Sequence, residues 1–530
     1  MRITNKIIQR NNLSNINTNK LYQDKLSTQM STQKKINRPS DDPVVAIRAL
    51  RLRSNVTQIT QYYSKNIPDA ESWLSVTEDA LDNLTQVMTE MIKQCTKGFN
   101  GPLKTEDRQI ILKQMKALGD EVYSTGDADY AGRYVFTGYR TDTSLSFPEE
   151  TNIPYSITEQ VDSSIIDSVV NVNIENADGK SILDLNSSNY KDAGFQDLNE
   201  EDISSVEVHR IRLGYNSCSD YDGVTGVSPK IEFLAGDGTN TTWSGFTGDG
   251  GDFTLVHSYD NPYNAAAQDA DAIIYVPGTG EILLGENRYK ELMAVKDDDT
   301  TAKNEAEIRI TYEKSSWQKG DLRPEHYFYC ESNPGTADSI VYNKSYLGGN
   351  TERQDIEYDV GFNQTIRVNS TADQCFKHGI GREVDDLLNA MQEVQNLEGV
   401  KATLENARKL VEEGSADDDI LKKQLDAVDK ALTYAKDKEQ KLFGKGITSF
   451  QGYLDDASMC ITECGSRSSK LSLIKSRMQN QKTTFETLKS ENEDVDITEV
   501  AIHLSSAELT YQAALMATGK VAQTTLLNYI

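Results

Sequence analysis

The sequence predicts an α+β protein of several domains, in which helical regions near both ends of the chain flank a β-rich middle. Apolar residues of the end regions recur at alternating spacings of three and four, the pattern of a left-handed coiled coil. The middle holds short runs of β-branched and aromatic residues separated by Gly, Asn and Asp, which indicate antiparallel strands. A length of 530 residues allows roughly three or four domains.

The first segment, from Ile3 to about Gln33, has a thin apolar face. Tyr22, Leu26 and Met30 share one side, but much of the remaining stripe is polar. Because such a helix is not stable in isolation, we expect this arm to be disordered until it binds partners.

A capped corner follows the arm, in the sequence INRPSDDPVVAIRALRLRS. Ser and Asp side chains accept hydrogen bonds from the free backbone N–H groups at a helix start, and proline fits the first helical turn. We therefore expect either Ser40 or Asp42 to cap a new helix, with Pro43 at its opening.

The clearest coiled-coil pattern lies between Trp73 and Cys95. Its positions are Leu74, Thr77, Leu81, Leu84, Met88, Met91 and Cys95. The break KGFNGPLKTED interrupts the pattern, which then returns as Ile111, Met115, Leu118 and Val122. These residues predict the inner face of a helical layer.

Between about residues 150 and 375 we expect one or two antiparallel β modules, from runs such as SIIDSVVNVNIE, SVEVHRIRLGY and AEIRITYEK. From Gly379 to about Lys445 the pattern is helical again, with Leu387, Met391, Val394, Leu421, Val428 and Leu432 among its apolar positions.

The C-terminal region consists of two predicted helices. The first carries Leu471, Ile474, Met478, Gln481, Phe485 and Leu488, and the charged turn ENEDVD ends it, with Asp496 placed to cap the second. The last helix has one stripe of Val500, Leu504, Ala507, Tyr511, Ala514 and Val521, and a second apolar set of Leu509, Leu515, Met516, Leu526, Leu527 and Ile530. A terminal helix that is apolar on several faces needs more than one neighbour, so the pattern indicates assembly.

Composition and motifs argue against catalysis, nucleic-acid binding and membrane insertion. The net charge is −27, and the basic residues of the arm are scattered among Asn, Gln and Thr with few aromatics, which favours a solvated face or a partner surface. No apolar run approaches the roughly 18 residues of a membrane span. The six cysteines do not have the spacing of a zinc site, so we expect no metal or cofactor. Cys375 and His378 could pair as nucleophile and base, but the sequence offers no third group to orient them, so we expect no enzyme activity.

Both ends of the chain resemble the flagellin superfamily, in particular its hook–filament junction members. The corner carries their Ile-x-x-Pro-Ser-Asp-Asp-Pro motif as Ile36, Pro39, Ser40, Asp41, Asp42 and Pro43, where flagellin itself usually has Gly-Asp-Asp-Ala-Ala-Gly. The segments YVFTGYRTDTSLSF, LGGNTERQDIEYDVGFNQTIRVNSTADQCF and LSSAELTYQAALMATGKVAQTTLLNYI are also similar to this family. The resemblance spans about residues 1–147 and 346–530.

The resemblance implies a domain arrangement. Residues 1–54 and 497–530 would be terminal helices of an inner core, residues 55–147 and 379–496 a helical rod, and residues 148–378 outward β-rich domains. The N- and C-terminal helices would pair in coiled-coil bundles at the base.

The resemblance also implies the partners: flagellin, hook-associated protein one, a flagellar export chaperone, and other copies of this chain in a ring of about eleven. The location would be the extracellular flagellum, reached by the flagellar type III route without a cleaved signal peptide. The polar start MRITNKIIQRNNLSN, which lacks a secretory apolar core, fits that expectation.

We therefore expect a structural junction protein between the flagellar hook and the flagellin filament. Its packing residues would be Leu504, Tyr511, Leu515, Leu526 and Leu527, and its corner Ser40, Asp41, Asp42 and Pro43. One alternative is a flagellin-like filament subunit. The other is an adhesin or glycan-binding module on the β domains, with Trp243 and Trp317 as candidates for stacking on sugars.

Overall fold

The computed structural model describes residues 5–523, except 102, 177, 221–227, 236–237, 295–307, 345 and 349–353. Within these residues the α-helices are α1 Asn5–Thr32, α2 Pro43–Gln61, α3 Ile67–Asn100, α4 Thr105–Gly126, α5 Pro262–Gln268, α6 Glu286–Met293, α7 Ala372–Cys375, α8 Gly379–Arg408, α9 Ala416–Glu493 and α10 Ile497–Gln523. One π-helical turn, Tyr62–Asn66, joins α2 to α3.

The strands occupy the middle of the chain, as the sequence predicts. They are β1 Asp129–Tyr130, β2 Arg133–Tyr134, β3 Tyr155–Val161, β4 Asp167–Asn173, β5 Ser204–Arg212, β6 Lys230–Leu234, β7 Asn240–Ser244, β8 Phe253–Leu255, β9 Ile273–Val276, β10 Glu281–Leu284, β11 Ile308–Lys314, β12 Tyr329–Ser332, β13 Ile340–Tyr342, β14 Glu357–Gly361 and β15 Gln364–Arg367. The α+β fold class is confirmed, whereas the coiled-coil pairing stays a prediction.

The chain divides into two compact units. The terminal unit comprises Met1–Glu71, Tyr358–Ile366 and Ser468–Ile530, and the central unit comprises Ser72–Glu357 and Arg367–Arg467. The division into inner core, rod and outer domains stays a prediction.

The helices of the central unit bury the predicted inner face. Every seam position from Leu74 to Cys95 is buried, as are Ile111, Met115 and Val122 of α4. Helix α3 approaches α9 closely at Gly98, where a Cβ atom would lie 2.5 Å from the ring of Phe443. Glycine is therefore required at this helix contact.

Two larger sheets form the β-rich part of the central unit. One has five strands in the order β4-β5-β10-β9-β8, and the other has six strands in the order β13-β12-β3-β11-β6-β7. Their pairings are antiparallel except for β8, which runs parallel to β9. The purely antiparallel expectation is wrong at that edge, because β8 reaches β9 through α5 rather than through a hairpin turn.

The α8–α9 pair supports one end of the five-stranded sheet. Apolar residues of both helices enclose side chains from the irregular segment 182–203. The cluster includes Ile182, Leu185, Leu198, Val394, Leu397, Leu404, Leu421, Val428 and Leu432. Val394, Leu421, Val428 and Leu432 of this set were predicted from the sequence pattern, whereas Leu397, Leu404 and the covering segment were not.

A buried ion network links that sheet to α8. The Arg210 guanidinium on β5 contacts Asp167 at 3.0 Å on β4 and Asp386 at 2.6 Å on α8. Neighbouring Arg212 adds a second contact to Asp386 at 2.6 Å, and Lys445 of α9 reaches Asp167 at 2.7 Å. Buried charges are tolerated when each is paired in this way.

The network fixes the charge state of Asp167. Burial opposes ionisation of this carboxyl, but the adjacent charges of Arg210 and Lys445 outweigh it and hold the pKa at about 2, below its usual 3.8. A carboxyl whose pKa is depressed by folding stabilises the folded state above its unfolded pKa, and this contribution is lost as the pH falls through the folded pKa.

Replacing Asp167 with Asn should therefore flatten the acid limb of the stability curve. Between about pH 5 and pH 2, the free energy of unfolding of the wild-type central unit should fall by about 2 kcal/mol more than that of D167N. Urea unfolding at a series of pH values measures this difference. The matched control is D338N, since Asp338 is exposed; D338N should follow the wild-type curve, and a D167N curve parallel to wild type would contradict the assignment.

Candidate assembly surface

Helices α1 and α10 of the terminal unit cover one another along a narrow seam. Leu26 of α1 and Val500 and Ala507 of α10 are its buried members, with Val495 and Leu504 partly buried against them. The C-terminal end of α1 meets the N-terminal end of α10 through an antiparallel bridge between Lys34 and Asp494, so the helices run in opposite directions. The arm thus has an intramolecular partner that its own sequence pattern does not reveal.

Large apolar side chains on the outer faces of this pair remain exposed. Leu21 is 71% exposed and Leu509 is 68% exposed. The other members are Ile7, Leu13, Tyr22 and Met30 of α1 and Ile497, Ile502, Leu515 and Met516 of α10. We call these ten residues the terminal apolar surface. An exposed apolar area of this kind marks a protein–protein contact site.

The structure describes three of the five predicted packing residues. Leu504 is partly buried in the α1–α10 seam, and Tyr511 is half-buried. Leu515 is 45% exposed and belongs to the terminal apolar surface. Leu526 and Leu527 lie outside the described residues. The packing role of all five residues stays a prediction.

Sequence reasoning missed part of this surface. Three exposed apolar residues lie outside the apolar stripes predicted for α1 and α10: Leu13, Leu21 and Ile502. Counting apolar residues on every face of α1, rather than along its best stripe, would have found Leu13 and Leu21.

The corner after α1 is built on two aspartates with different tasks. Asp42 is the N-cap of α2, and its side chain accepts from the backbone N–H groups of Val44 at 3.0 Å and Val45 at 3.1 Å. Pro43 occupies the first helical turn. Of the two cap candidates, the structure assigns the role to Asp42, while Ser40 is exposed.

Asp41 closes the preceding turn. Its carboxylate accepts from the backbone N–H of Arg38 at 2.9 Å and of Asn37 at 3.1 Å. These hydrogen bonds favour the charged form and lower the pKa of Asp41. The adjacent acidic pair therefore fixes the chain on both sides of Pro39–Ser40.

A second set of contacts, which we call the clasp, joins the end of α9 to both sides of the corner. Glu493, only 2% exposed, accepts from Arg53 of α2 through two bonds of 2.6 and 2.7 Å. The Lys34 ammonium lies 3.7 Å from Glu493 and also pairs with Asp494. Bidentate pairs of this type fix geometry as well as charge.

Backbone hydrogen bonds complete the clasp. The Lys35 N–H donates to the Glu493 carbonyl at 2.7 Å, and the Val495 N–H donates to the Gln33 carbonyl at 3.1 Å. Asp496 then caps α10, accepting from the Thr498 N–H at 2.8 Å. The predicted helix start at Asp496 is confirmed.

The tip of the β14–β15 hairpin also contacts the helices of the terminal unit. Asn66 donates to the Asp359 carbonyl at 2.8 Å, and the rings of Tyr62 and Phe362 meet edge to face with centroids 5.8 Å apart. The hydroxyl of Tyr358 hydrogen-bonds Asp69. The hairpin therefore braces the π-helical turn and the start of α3.

Other candidate sites from the sequence do not match their expected chemistry. Trp243 and Trp317 are both buried, Trp243 against Phe233 and Trp317 between Phe147 and Tyr155, so neither offers a face for sugar stacking. Among the described residues, no group of three or more His, Cys, Asp or Glu side chains is placed to hold a metal ion. No helix in the same residues combines the length and apolar character of a membrane span.

Residues 3–141 match the family described as the bacterial flagellin N-terminal helical region. Flagellar hook-associated protein 3 of Salmonella typhimurium is 30% identical over 169 residues, which cover 31% of this chain and 53% of that protein. Flagellin of Bacillus subtilis is 27% identical over 240 residues, which cover 40% of this chain and 78% of that protein. The chain thus spans about half the length of the hook-associated relative that it matches.

One solved structure, the flagellar junction protein FlgL of Legionella pneumophila, aligns with 81% of this chain and 99% of its own. The identity is 11% and the TM-score is 0.26. The similarity to flagellar proteins therefore rests on the sequence matches.

Replacing Glu493 with Gln should loosen the clasp, because Gln keeps the shape but loses the charge that Arg53 and Lys34 contact. The opening free energy of the corner should fall by about 1–2 kcal/mol. Backbone amides of Lys35 and Val495 should then exchange hydrogen about tenfold faster, as measured by exchange mass spectrometry.

The matched control is E491Q, since Glu491 is exposed two residues away. Exchange at Lys35 and Val495 should be the same in E491Q and wild type. Equal exchange in E493Q and wild type would show that the clasp does not hold the corner.

Proposed function

We propose, from the similarity to flagellar hook-associated protein 3 and to the flagellin N-terminal helical region, that this chain is a structural junction protein of the bacterial flagellum. It connects the hook, through the neighbouring hook-associated protein, to the flagellin filament. Its relatives are structural flagellar proteins rather than enzymes. The observation that carries the proposal is the terminal apolar surface, which the described residues of the chain leave exposed.

Assembly follows from covering that surface. Apolar burial contributes about 25 cal/mol per Å², so each half-exposed side chain stabilises an assembly by roughly 1 kcal/mol when neighbours cover it. Ten such side chains together offset a substantial part of the conformational entropy lost when α1 and α10 become fixed. Ordering of the terminal helices is thereby coupled to binding.

The two ends of the junction require two different contacts. A copy that uses one surface toward the hook side and another toward the filament makes heterologous contacts, which close into rings or continue as helices. The ring of about eleven copies that we propose comes from the resemblance to the junction members of the flagellin superfamily, and heterologous contacts are compatible with it. Flagellin and hook-associated protein one are the proposed partners.

The corner has a specific role in this proposal. Asp41, Asp42 and Pro43 fix where α2 begins, and the clasp fixes where α10 begins. Together they set the direction in which the α1–α10 pair leaves the rest of the terminal unit. The proposed inner core of residues 1–54 and 497–530 would be held at that angle, with residues 55–147 and 379–496 as the rod and residues 148–378 outermost.

Export is part of the same proposal. We propose the flagellar type III route, with a cytoplasmic chaperone covering α10 before assembly. The exposed Ile502, Leu509 and Met516 are the surface that such a chaperone would shield.

A filament subunit is the second candidate. The observation in its favour is the Bacillus subtilis flagellin match, which covers 78% of that protein. The junction is preferred because the corner has Pro43 after its two aspartates, where flagellin usually has Ala. Immunogold labelling of purified flagella separates the two: a band at the hook end supports the junction, and staining along the filament supports the subunit.

Polar substitution of the terminal apolar surface should block incorporation. The triple variant L509Q, L515Q and M516Q should leave the central unit folded, because these residues lie only in the terminal unit. Complementation of a strain that lacks this chain should then restore less than about a tenth of the wild-type swimming population, since about 3 kcal/mol of covering energy is lost per copy.

The control is a triple variant of apolar residues outside α1 and α10 that are no less exposed, L410Q, M459Q and L473Q. It should restore wild-type motility and place gold label at the hook end. Full motility in the α10 variant would contradict the proposal.

A further inference from the structure

Two cysteine side chains that are distant in sequence meet inside the central unit. Cys375 ends α7 and Cys460 lies in the middle of α9, with the whole of α8 between them in sequence. The two thiols are close enough to share a hydrogen bond. Cys375 is 1% exposed and Cys460 is 8% exposed.

Two contacts flank the cysteine pair. Arg467 of α9 donates to the Asn369 carbonyl at 2.9 Å, and Asp456 lies 3.9 Å from the Lys377 ammonium. The segment from Asn369 to Lys377 therefore runs along α9 in the opposite direction. Cys375 lies between Asn369 and Lys377, and Cys460 lies between Asp456 and Arg467, so the two contacts bracket the pair.

The thiols of Cys375 and Cys460 differ in pKa and in exposure. Hydrogen bonding from Cys375 lowers the pKa of the Cys460 thiol, while the same contact raises that of Cys375. Cys460 also has the larger exposed fraction of the two. Nucleophilic attack on a disulfide requires the thiolate, so Cys460 is the first to react.

The next cysteine along α9 differs from this pair. Cys464, fully buried, donates its thiol hydrogen to the Leu74 carbonyl at 3.4 Å. It contacts α3 rather than α7, which makes it a matched control one helical turn away.

We propose that Cys375 and Cys460 form a reversible disulfide when the chain meets a low-molecular-weight disulfide. The Cys460 sulfur bonds to one sulfur of the reagent, and the reagent's S–S bond breaks to release one thiolate. The Cys375 sulfur then attacks the Cys460 sulfur and expels the second thiolate. The two protein thiols are oxidised, the reagent is reduced to two thiols, and the two protein protons end on those thiols.

The cross-link ties the segment before α8 to α9. It closes a loop of about 85 residues, and long loops lose the most conformational freedom in the unfolded state when they are closed. Oxidised chain should therefore unfold at a temperature about 5–10 °C above that of reduced chain. Reduction returns the lower value, so the central unit is more resistant to unfolding in oxidising surroundings.

The test treats the folded full-length chain with cystamine and maps its peptides after alkylation and trypsin digestion. Peptides 368–377 and 446–467 should appear joined, and the melting temperature should rise unless dithiothreitol is added. The variant C464S should give the same cross-link and the same shift, and it also leaves Cys460 as the sole cysteine of the second peptide.

Three results would overturn the proposal. They are a Cys460–Cys464 bond in place of the joined peptides, a joined peptide that forms only in urea, and a melting shift that persists in C375S. Because peptide mapping of wild-type chain needs no substitution, a folding defect in C375S or C460S leaves the test intact.

Discussion

Helices α1 and α10 have more apolar surface than their contact with each other can bury, and the rest of the structure depends on this constraint. The two helices bury one narrow seam around Leu26, Val500 and Ala507. Ten of their other large apolar side chains, the terminal apolar surface, remain exposed. The free energy of hydrophobic burial is proportional to the area removed from water, so in the proposed assembly neighbours would supply most of the stabilisation of the pair.

Different interactions stabilise the two units. The central unit has buried apolar clusters of its own and a buried ion network around Arg210, which is paired with carboxylates from β4, β10 and α8. In the terminal unit, α1 and α10 rely on a thin seam and on polar contacts at the corner and the clasp. A weakly held pair beside a corner of fixed geometry suits an element that becomes ordered by binding.

Local signals in the sequence predicted the parts that local chemistry controls. The aspartate caps Asp42 and Asp496 and the heptad positions of α3 were predictable, because each follows from a residue type and its neighbours a few positions away. The clasp at Glu493, the pairing of Leu26 with α10 and the Arg210 network were not, because each joins residues far apart in sequence. Within the terminal apolar surface, the sequence analysis named Leu515 but not Leu21, because the apolar stripe counted on α1 was largely polar.

Limited proteolysis of the chain, free in dilute solution and then within purified flagella, tests the central claim most directly. If α1 and α10 are ordered by neighbours, brief digestion of the free chain should cut first within residues 5–32 and 497–523 and leave the central unit whole. The same sites should be protected in the flagellum. Equal resistance of the terminal helices in the free and assembled chain would contradict the account.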